Sequence, residues 1–322
     1  MKIGALTVAY GDLPLEQALD RLVGLGIEAI ELGTGNFPGN AHCDPKSLLD
    51  DPRRAQRLRA QIEDRGLSIS ALSCHGNPLH PDPEVARAAH TTWLRTARLA
   101  EILQVGVVNG FSGCPGDGRG ASVPNWITCP WPPEYAEVLA WQWAESAIPY
   151  WREQCEIAGA HGVRIGLEMH PGFLVYNPET LISLRQATGP ELGANFDPSH
   201  LFWQGIDPVR AIRELAEAGA LFHVHAKDTF VDRHNVERNG VLDTKTYDQV
   251  PRRAWTFRTV GFGHGEAEWR EIVSALRVAG YDGVISIEHE DILMSRDEGL
   301  ERAVQTLRSV VPRERADAPW WI

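Results

Sequence analysis

The chain has 322 residues, of which 43% are hydrophobic, and it carries a net charge of −12. This length can bury one large core, and the acidic balance argues against a nucleic-acid-binding protein, which needs basic groups to meet phosphates. No apolar run reaches the roughly 18 residues that a membrane helix needs. Five widely spaced cysteines without a CxxC pair predict a reducing, cytoplasmic compartment.

Short apolar runs alternate along the chain with longer segments of helical periodicity. We predict strands at 2–8, 28–32, 68–73, 106–110, 164–169, 192–197, 221–227 and 283–288. We predict helices at 14–24, 51–65, 82–103, 134–160, 178–188, 207–218, 266–279 and 296–310. Eight strand–helix pairs in strict alternation favour a (β/α)₈ TIM barrel, with residues 1–322 as one domain. Residues 33–50 form a loop without a predicted element.

Two loops are longer than a compact barrel needs. Residues 111–133 follow strand four, and residues 228–262 follow strand seven. Barrel active sites form on the face to which both loops belong, so we predict that these loops are functional lids. We expect the aromatic tail at 312–322 either to pack on its own barrel or to contact another subunit.

Four acidic or histidine side chains end four consecutive predicted strands: Glu168, Asp197, His225 and Glu288. The first two gaps are 29 and 28 residues, about one strand-plus-helix unit. Oxygen and nitrogen ligands on rigid elements suit Mn²⁺, Mg²⁺, Co²⁺ or Zn²⁺, and the absence of sulfur favours the harder ions. We therefore predict one divalent metal ion at the mouth of the barrel. The alternative is that these acids cap the following helices or pair with arginines.

Two further side chains are candidates for the chemistry. His170 lies two residues after Glu168, so strand alternation places both on one face, and its imidazole is a candidate general base. If His170 is only a hydrogen-bonded rim residue, Glu168 or Glu288 is the expected base. Lys227 is a candidate to neutralise an enediolate or a carboxylate, and a salt bridge to Glu288 or Asp228 is the alternative.

Other histidines and several tryptophans are predicted to line the pocket. His75 ends strand three, and His200 follows Asp197 closely enough to bind a substrate hydroxyl or a second metal, whereas His223 is expected to pack in the core. Tryptophan faces stack on sugars or flat aglycones, and those predicted near the mouth are Trp126, Trp131, Trp203 and Trp255.

The sequence bears on two kinds of phosphate-containing ligand, a nucleotide cofactor and a phosphorylated substrate. No Gly-rich dinucleotide fingerprint or Walker loop is present, so no nucleotide cofactor is expected, and Gly261–Gly265 is interpreted as a turn. A phosphorylated substrate would need a basic cluster at the mouth. Only Lys227 with Arg252, Arg253 and Arg258 could supply it.

Four motifs resemble the sugar phosphate isomerase/epimerase-like family, also called xylose isomerase-like barrels. They are Gly166-Leu167-Glu168-Met169-His170-Pro171, Asn195-Phe196-Asp197-Pro198-Ser199-His200, His223-Val224-His225-Ala226-Lys227-Asp228 and Ile285-Ser286-Ile287-Glu288-His289-Glu290-Asp291. In that family the Glu, Asp, His, Glu quartet binds Mn²⁺ or a similar ion, which holds two sugar oxygens. The resemblance implies the same role for Glu168, Asp197, His225 and Glu288, with Mn²⁺ as the first choice. It also implies proton abstraction beside a sugar carbonyl, through an enediolate.

Two positions depart from the ketose 3-epimerases of that family. Leu174 stands where they carry a substrate-contacting Glu, and Val231 stands where they carry an Arg. Glu168-Met169-His170 instead resembles relatives that act on 3-keto-glycosides, including the larger subunit of C-glycoside deglycosidases and lyases for oxidised anhydrosugars. There, a His two places after the metal-binding Glu is a plausible base.

The preferred prediction is therefore elimination or deglycosylation of a 3-keto-glycoside. Isomerisation or epimerisation of a free or phosphorylated sugar or inositol is the alternative. The resemblance implies a sugar or glycoside substrate and a homo-oligomer or a hetero-oligomer with a smaller subunit. The acidic charge and the lack of a long apolar run predict no nucleic-acid or membrane partner. An abasic-site endonuclease shares the fold but is disfavoured by the acidic charge, and a non-enzymatic sugar-binding subunit is disfavoured by the intact quartet.

Overall fold

The computed structural model describes residues 1–314, and its centre is a closed barrel of eight parallel strands. The barrel strands are β1 (Lys2–Leu6), β2 (Ala29–Gly33), β3 (Ser68–Ser73), β4 (Val107–Gly110), β5 (Arg164–Glu168), β6 (Leu192–Phe196), β7 (Leu221–Ala226) and β10 (Val284–Ile287). Each strand pairs with the next along the chain, and β10 pairs with both β7 and β1 to close the ring. The predicted (β/α)₈ barrel is confirmed.

Helices surround the barrel and connect its strands. The longer ones are Leu15–Leu25, Pro52–Glu63, Pro83–Leu103, Glu134–Trp141, Ile148–Ala160, Pro178–Thr188, Pro208–Glu217, Glu266–Val278 and Arg296–Val310. Shorter ones are Pro45–Asp50, Ser199–Phe202 and Arg233–Asn239, with 3₁₀ turns at Thr7–Tyr10 and Val250–Arg252. Within residues 1–314, no helix combines the length and the apolarity needed to cross a bilayer.

Five of the helices begin with the same local signal, an Asp or Asn followed by Pro. The side chain at the N-cap accepts a hydrogen bond from a backbone N–H of the first turn, and the proline fills a position whose N–H would have no helical partner. The five N-cap residues are Asp44, Asp51, Asp82, Asn177 and Asp207. This signal therefore fixes where these helices start.

Three predicted boundaries need correction. The first strand ends at Leu6 rather than at residue 8, because the chain turns into the 3₁₀ segment Thr7–Tyr10. Residues 33–50 are not wholly loop, since Asp44 caps the helix Pro45–Asp50. The helix predicted at 134–160 contains a π-helical turn, Gln142–Ala147. The buried Gln142 side chain lies in that turn and donates to backbone carbonyls of the 111–133 loop.

The 228–262 loop contains an antiparallel pair of strands, β8 (Asp228–Val231) and β9 (Trp255–Arg258). One buried carboxylate ties both ends of this loop to the barrel. Asp228 accepts hydrogen bonds from the backbone N–H groups of Thr229, Gly261, Gly263 and His264. It also accepts from the His264 ring and from the Trp269 indole on the following helix. Of the predicted tail at 312–322, residues 315–322 lie outside the described part of the chain.

Candidate metal centre

The four predicted ligand residues meet at the carboxyl end of the barrel. Glu168 is the last residue of β5, and His225 lies near the end of β7. Asp197 and Glu288 directly follow β6 and β10. One ligand atom from each of the four residues lies within 4.8 Å of the others. The strand ends therefore bring together side chains that are far apart in the sequence.

The chemistry of this quartet fits a divalent cation. Three carboxylates and one imidazole offer oxygen and nitrogen donors. His225 Nδ1 lies 3.3 Å from Glu168 Oε2 and 3.2 Å from Glu288 Oε2. Burial alone would lower the pKa of His225, but Glu31, Glu168 and Glu288 raise it well above its ordinary value. Such concentrated negative charge is what a divalent ion would balance.

Asp197 gives a second indication of a ligand. Its Oδ2 atom is buried and accepts no hydrogen bond from the described residues. Lys227 Nζ lies 3.3 Å away and His200 Nε2 3.4 Å away, which makes them charge neighbours rather than hydrogen-bond donors. A buried carboxylate oxygen without a donor is costly unless a cation or water completes it. The residues present are therefore suited to hold a divalent metal, whose identity they leave open.

Two histidines lie against Glu168, His75 after β3 and His200 in the short helix Ser199–Phe202. His200 Nε2 lies 3.0 Å from Oε1, and His75 Nε2 lies 3.2 Å from Oε2. Asn195 donates to Oε2 at 3.2 Å. Burial would raise the pKa of Glu168, but His200, His225 and His75 hold it well below its usual range. His75 and His200, predicted to bind substrate, thus lie beside the quartet and contact one of its members.

Lys227 is buried between carboxylates. Its Nζ donates to Glu288 Oε2 at 2.9 Å and to Glu290 Oε2 at 3.1 Å. Burial would lower its pKa, but Glu288, Glu290 and Asp197 raise it well above the usual value. Of the two salt bridges considered from the sequence, the one to Glu288 is present, whereas Asp228 faces the loop backbone.

His170 lies at the rim of the same cavity. A ring nitrogen of His170, one of His200 and an oxygen of Glu168 are within 4.8 Å of one another. The carbonyl of Pro171 lies 2.6 Å from His170 Nδ1, so Nδ1 donates and the lone pair is on Nε2. Burial and the neighbouring His200 lower the pKa of His170 to about 3. The ring is therefore neutral at neutral pH with Nε2 unprotonated, and the same burial makes it a weaker base than an exposed histidine.

Two pockets open beside His170. One, of about 300 Å³, is lined by His170, Tyr247, Thr256, Phe257, Glu290 and Ile292. The other, of about 370 Å³, shares His170, Tyr247 and Phe257, and its walls include Trp126, Trp203, Trp255 and His200. Trp203 and Trp255 stack face to face, with ring centroids 4.6 Å apart. Three of the four predicted tryptophans thus line one aromatic pocket.

The fourth tryptophan and the candidate phosphate-binding arginines lie elsewhere. Trp131 is 74% exposed and does not line either pocket. The buried Arg253 donates to the backbone carbonyl of Trp255, and Arg258 pairs with Asp291 at 3.0 Å. Arg252 is exposed on the 3₁₀ turn. Arg253 and Arg258 thus have partners of their own, and a phosphate site built from these arginines and Lys227 stays a prediction.

One further histidine, His223, and one further carboxylate, Glu31, lie close to the quartet. His223 is buried beside Asn195, with its Nδ1 2.9 Å from Asn195 Oδ1, and burial lowers its pKa to about 4. It lies outside the quartet, as expected. Glu31 was not predicted. It is fully buried in β2, and its carboxylate lies 3.0 Å from His225 Nε2. The signal in the sequence was one acid inside an otherwise apolar strand, Ala29-Ile30-Glu31-Leu32-Gly33.

The closed parallel barrel, with three carboxylates and one histidine gathered at its carboxyl end, defines a class of barrel protein with a candidate divalent-metal site. The family comparison identifies that class further. The family described as "Xylose isomerase-like TIM barrel" matches residues 19–310 of this chain. The chain therefore belongs to the xylose isomerase-like TIM barrel family.

A relative in Bacillus subtilis (strain 168), the uncharacterized protein YfiH, is 39% identical over 314 residues, which cover 97% of this chain and 99% of YfiH. Three solved structures share the fold. The probable 3-DHS dehydratase AsbF of Bacillus anthracis has a TM-score of 0.66 and 19% identity, covering 98% of this chain and 100% of AsbF. The IOLI protein, which has a bound zinc atom, has a TM-score of 0.65 and 18% identity, covering 97% and 98%. A D-tagatose 3-epimerase-like protein has a TM-score of 0.61 and 22% identity, covering 96% and 98%.

Proposed function

We propose that the protein is a divalent-metal-dependent carbohydrate enzyme that removes a proton from a carbon next to a sugar carbonyl. The substrate we propose is a 3-keto-glycoside, and the reaction is elimination of the group at C1. The observation that carries the proposal is the proximity of the neutral His170 to the quartet, with its Nε2 lone pair available. A carbonyl at C3 acidifies the C2 proton of the substrate, and this is the proton that His170 would accept.

A divalent ion held by Glu168, Asp197, His225 and Glu288 would polarise the substrate carbonyl and stabilise the negative charge that develops on its oxygen. His170 Nε2 accepts the C2 proton. The C1–C2 double bond then forms as the bond from C1 to the leaving group breaks, and the leaving group takes up a proton. His200 and Asn195 hold Glu168 in place, with His75 beside it, and the Lys227 ammonium, 3.1 Å from Glu290, keeps the charge of the mouth balanced.

The surroundings of Glu168 support a base other than this glutamate. Both of its oxygens already face histidine or amide nitrogens. The two departures from the ketose 3-epimerases also lead away from a polar sugar pocket. Leu174 is buried in the hydrophobic core, and Val231 packs against the Trp203 and Trp255 cluster. Neither position supplies the charged side chain that those epimerases have.

The aromatic pocket supports a substrate larger than one free sugar. It extends from His170 along Trp203, Trp255 and Trp126, and stacked aromatic walls bind flat rings or the C–H faces of sugars. We place the leaving group, an aglycone or a second ring, in this pocket. The reacting sugar then lies over the quartet.

The test uses EDTA-treated protein reconstituted with Mn²⁺, or with Zn²⁺ for comparison. It is given free ketoses or 3-keto-glycosides in D₂O and followed by NMR. Release of an aglycone, or formation of a 2-hydroxy-glycal, without epimers of the free sugars supports the proposal. Interconversion of free sugars with deuterium incorporation would replace it with isomerisation or epimerisation.

A variant pair tests the base. His170→Ala is expected to lower kcat by about 10²–10⁴-fold, the usual contribution of a general base, with unchanged metal content. The matched control is His161→Ala, which removes a surface histidine that pairs with Glu101 on the helices outside the barrel. Full activity in the His170 variant would assign proton abstraction to Glu288 or Glu168 instead.

A further inference from the structure

We infer that Glu31 is the positioning residue that orients His225, so that Nδ1 is the nitrogen presented to a metal ion and Nε2 carries the proton. The inference rests on the proposed metal-dependent function. It assigns a role to a residue outside the quartet, whose carboxylate contacts Nε2 of His225, whereas Glu168 and Glu288 face Nδ1.

The contacts of Glu31 are those of a fixed acceptor. Asn109 Nδ2 donates to Oε1 at 2.8 Å, and the Ser73 hydroxyl donates to the same oxygen. His225 Nε2 lies 3.1 Å from Oε1 and 3.0 Å from Oε2. Glu31 has no exposed surface, so water does not compete for these positions. Donors from three other strands hold one carboxylate at the bottom of the site.

The geometry of His225 follows from these contacts. An ionised carboxylate can only accept hydrogen bonds. Nε2 of His225, which faces both oxygens of Glu31, is therefore protonated and donates to them. The lone pair then lies on Nδ1, which faces Glu168 Oε2 and Glu288 Oε2 at 3.3 and 3.2 Å. A carboxylate behind a ligating histidine fixes the tautomer and the ring orientation and raises the basicity of the ligand.

The substitution Glu31→Gln tests this role because it keeps the shape and reverses the hydrogen bonding. Asn109 and Ser73 donate to Oε1, so the amide oxygen is expected to take that place and the NH₂ group to face His225. Nε2 would then accept, and the proton would move to Nδ1, where it blocks the ligand position. The expected result is a 10- to 100-fold weaker Kd for Mn²⁺, as for other outer-layer partners of metal ligands, measured by isothermal titration calorimetry without substrate.

Ser73→Ala is the matched control. It removes a donor from the same carboxylate but leaves the contact with His225, so its Kd for Mn²⁺ is expected to stay within about threefold of the wild type, well below the effect of an altered ligand partner. Circular dichroism establishes that both variants are folded. A Glu31→Gln protein that binds Mn²⁺ as tightly as the wild type would overturn the inference.

A second measurement needs no variant of Glu31. In Zn²⁺-loaded, ¹⁵N-histidine-labelled wild-type protein, the His225 signals are identified by their loss in His225→Gln. They are expected to show Nδ1 ligation and a protonated Nε2, and Nε2 ligation would overturn the inference even if Glu31→Gln fails to fold. Neither measurement uses a sugar. Tight metal binding without turnover would therefore refute the proposed reaction and leave the role of Glu31 intact, whereas a wild type without metal affinity would overturn both.

Discussion

Asp228 offers a test of how the substrate pocket is held to the barrel. Its buried carboxylate gathers four backbone N–H groups, the His264 ring and the Trp269 indole. Asp228→Asn keeps the shape but replaces one oxygen by an NH₂ group. With the amide in its better orientation, Thr229 N–H and the His264 ring still lose their acceptor.

The loss can be estimated from these two contacts. At about 1.5 kcal/mol for each hydrogen bond to a charged acceptor, the free energy of unfolding falls by about 3 kcal/mol. For a chain of this length that lowers Tm by about 4 °C. The assay is thermal unfolding by circular dichroism, with hydrogen exchange measured by mass spectrometry. We expect faster exchange in the 228–264 segment and unchanged exchange in the barrel strands.

Asp232→Asn is the control within the same loop. Asp232 is a helix cap that accepts one hydrogen bond, from Asn235 N–H at 3.0 Å, and its loss is expected to cost about 1 kcal/mol or less. Equal Tm values for the two variants would refute the reasoning. So would a loss of protection spread over the whole barrel, because Asp228 would then stabilise the core rather than the loop.

Three further outcomes are expected. A divalent ion at about 100 times its Kd is expected to stabilise the wild type by about 2.7 kcal/mol in a thermal shift assay. Glu288→Gln is expected to lose most of this stabilisation, and equal stabilisation of that variant would place the ion elsewhere. Cys129, the exposed thiol among five free cysteines, is expected to be the single site that reacts with Ellman's reagent in the native protein, and Cys129→Ser to react at none. Trp255→Ala is expected to lower stability by about 3–5 kcal/mol because it opens a cavity beside Trp203, and a loss under about 1 kcal/mol in urea unfolding would contradict the packing described here.

Much of the architecture could be predicted from local patterns. The eight barrel strands lie within two residues of the predicted ones, because each is a short apolar run bounded by turn residues. The quartet could be predicted because its members follow strand ends, which a parallel barrel brings together. The helix Pro45–Asp50 was missed although Asp44-Pro45 carries the same start signal as Asn177-Pro178.

The remaining parts depend on contacts that spacing does not encode. Glu31 meets His225 across 194 residues, inside the barrel, so nothing local marks them as partners. The pairing of β8 with β9 depends on a register set within an irregular loop. The sequence also does not show that Trp126 lines the aromatic pocket whereas Trp131 is exposed. Metal identity, substrate, cytoplasmic location and a partner subunit stay predictions.

The 228–262 loop has a consequence for how this barrel could acquire new substrates. Tyr247, Trp255 and Phe257, which form much of the aromatic wall, come from this one continuous insertion. The quartet comes from the strand ends and needs none of its residues. Exchange of a single segment, cut at Asp228 and Trp269, would thus replace nearly half of the pocket lining and spare the ligands. Recombination between related genes could alter what the barrel recognises in one event while its chemistry is inherited unchanged.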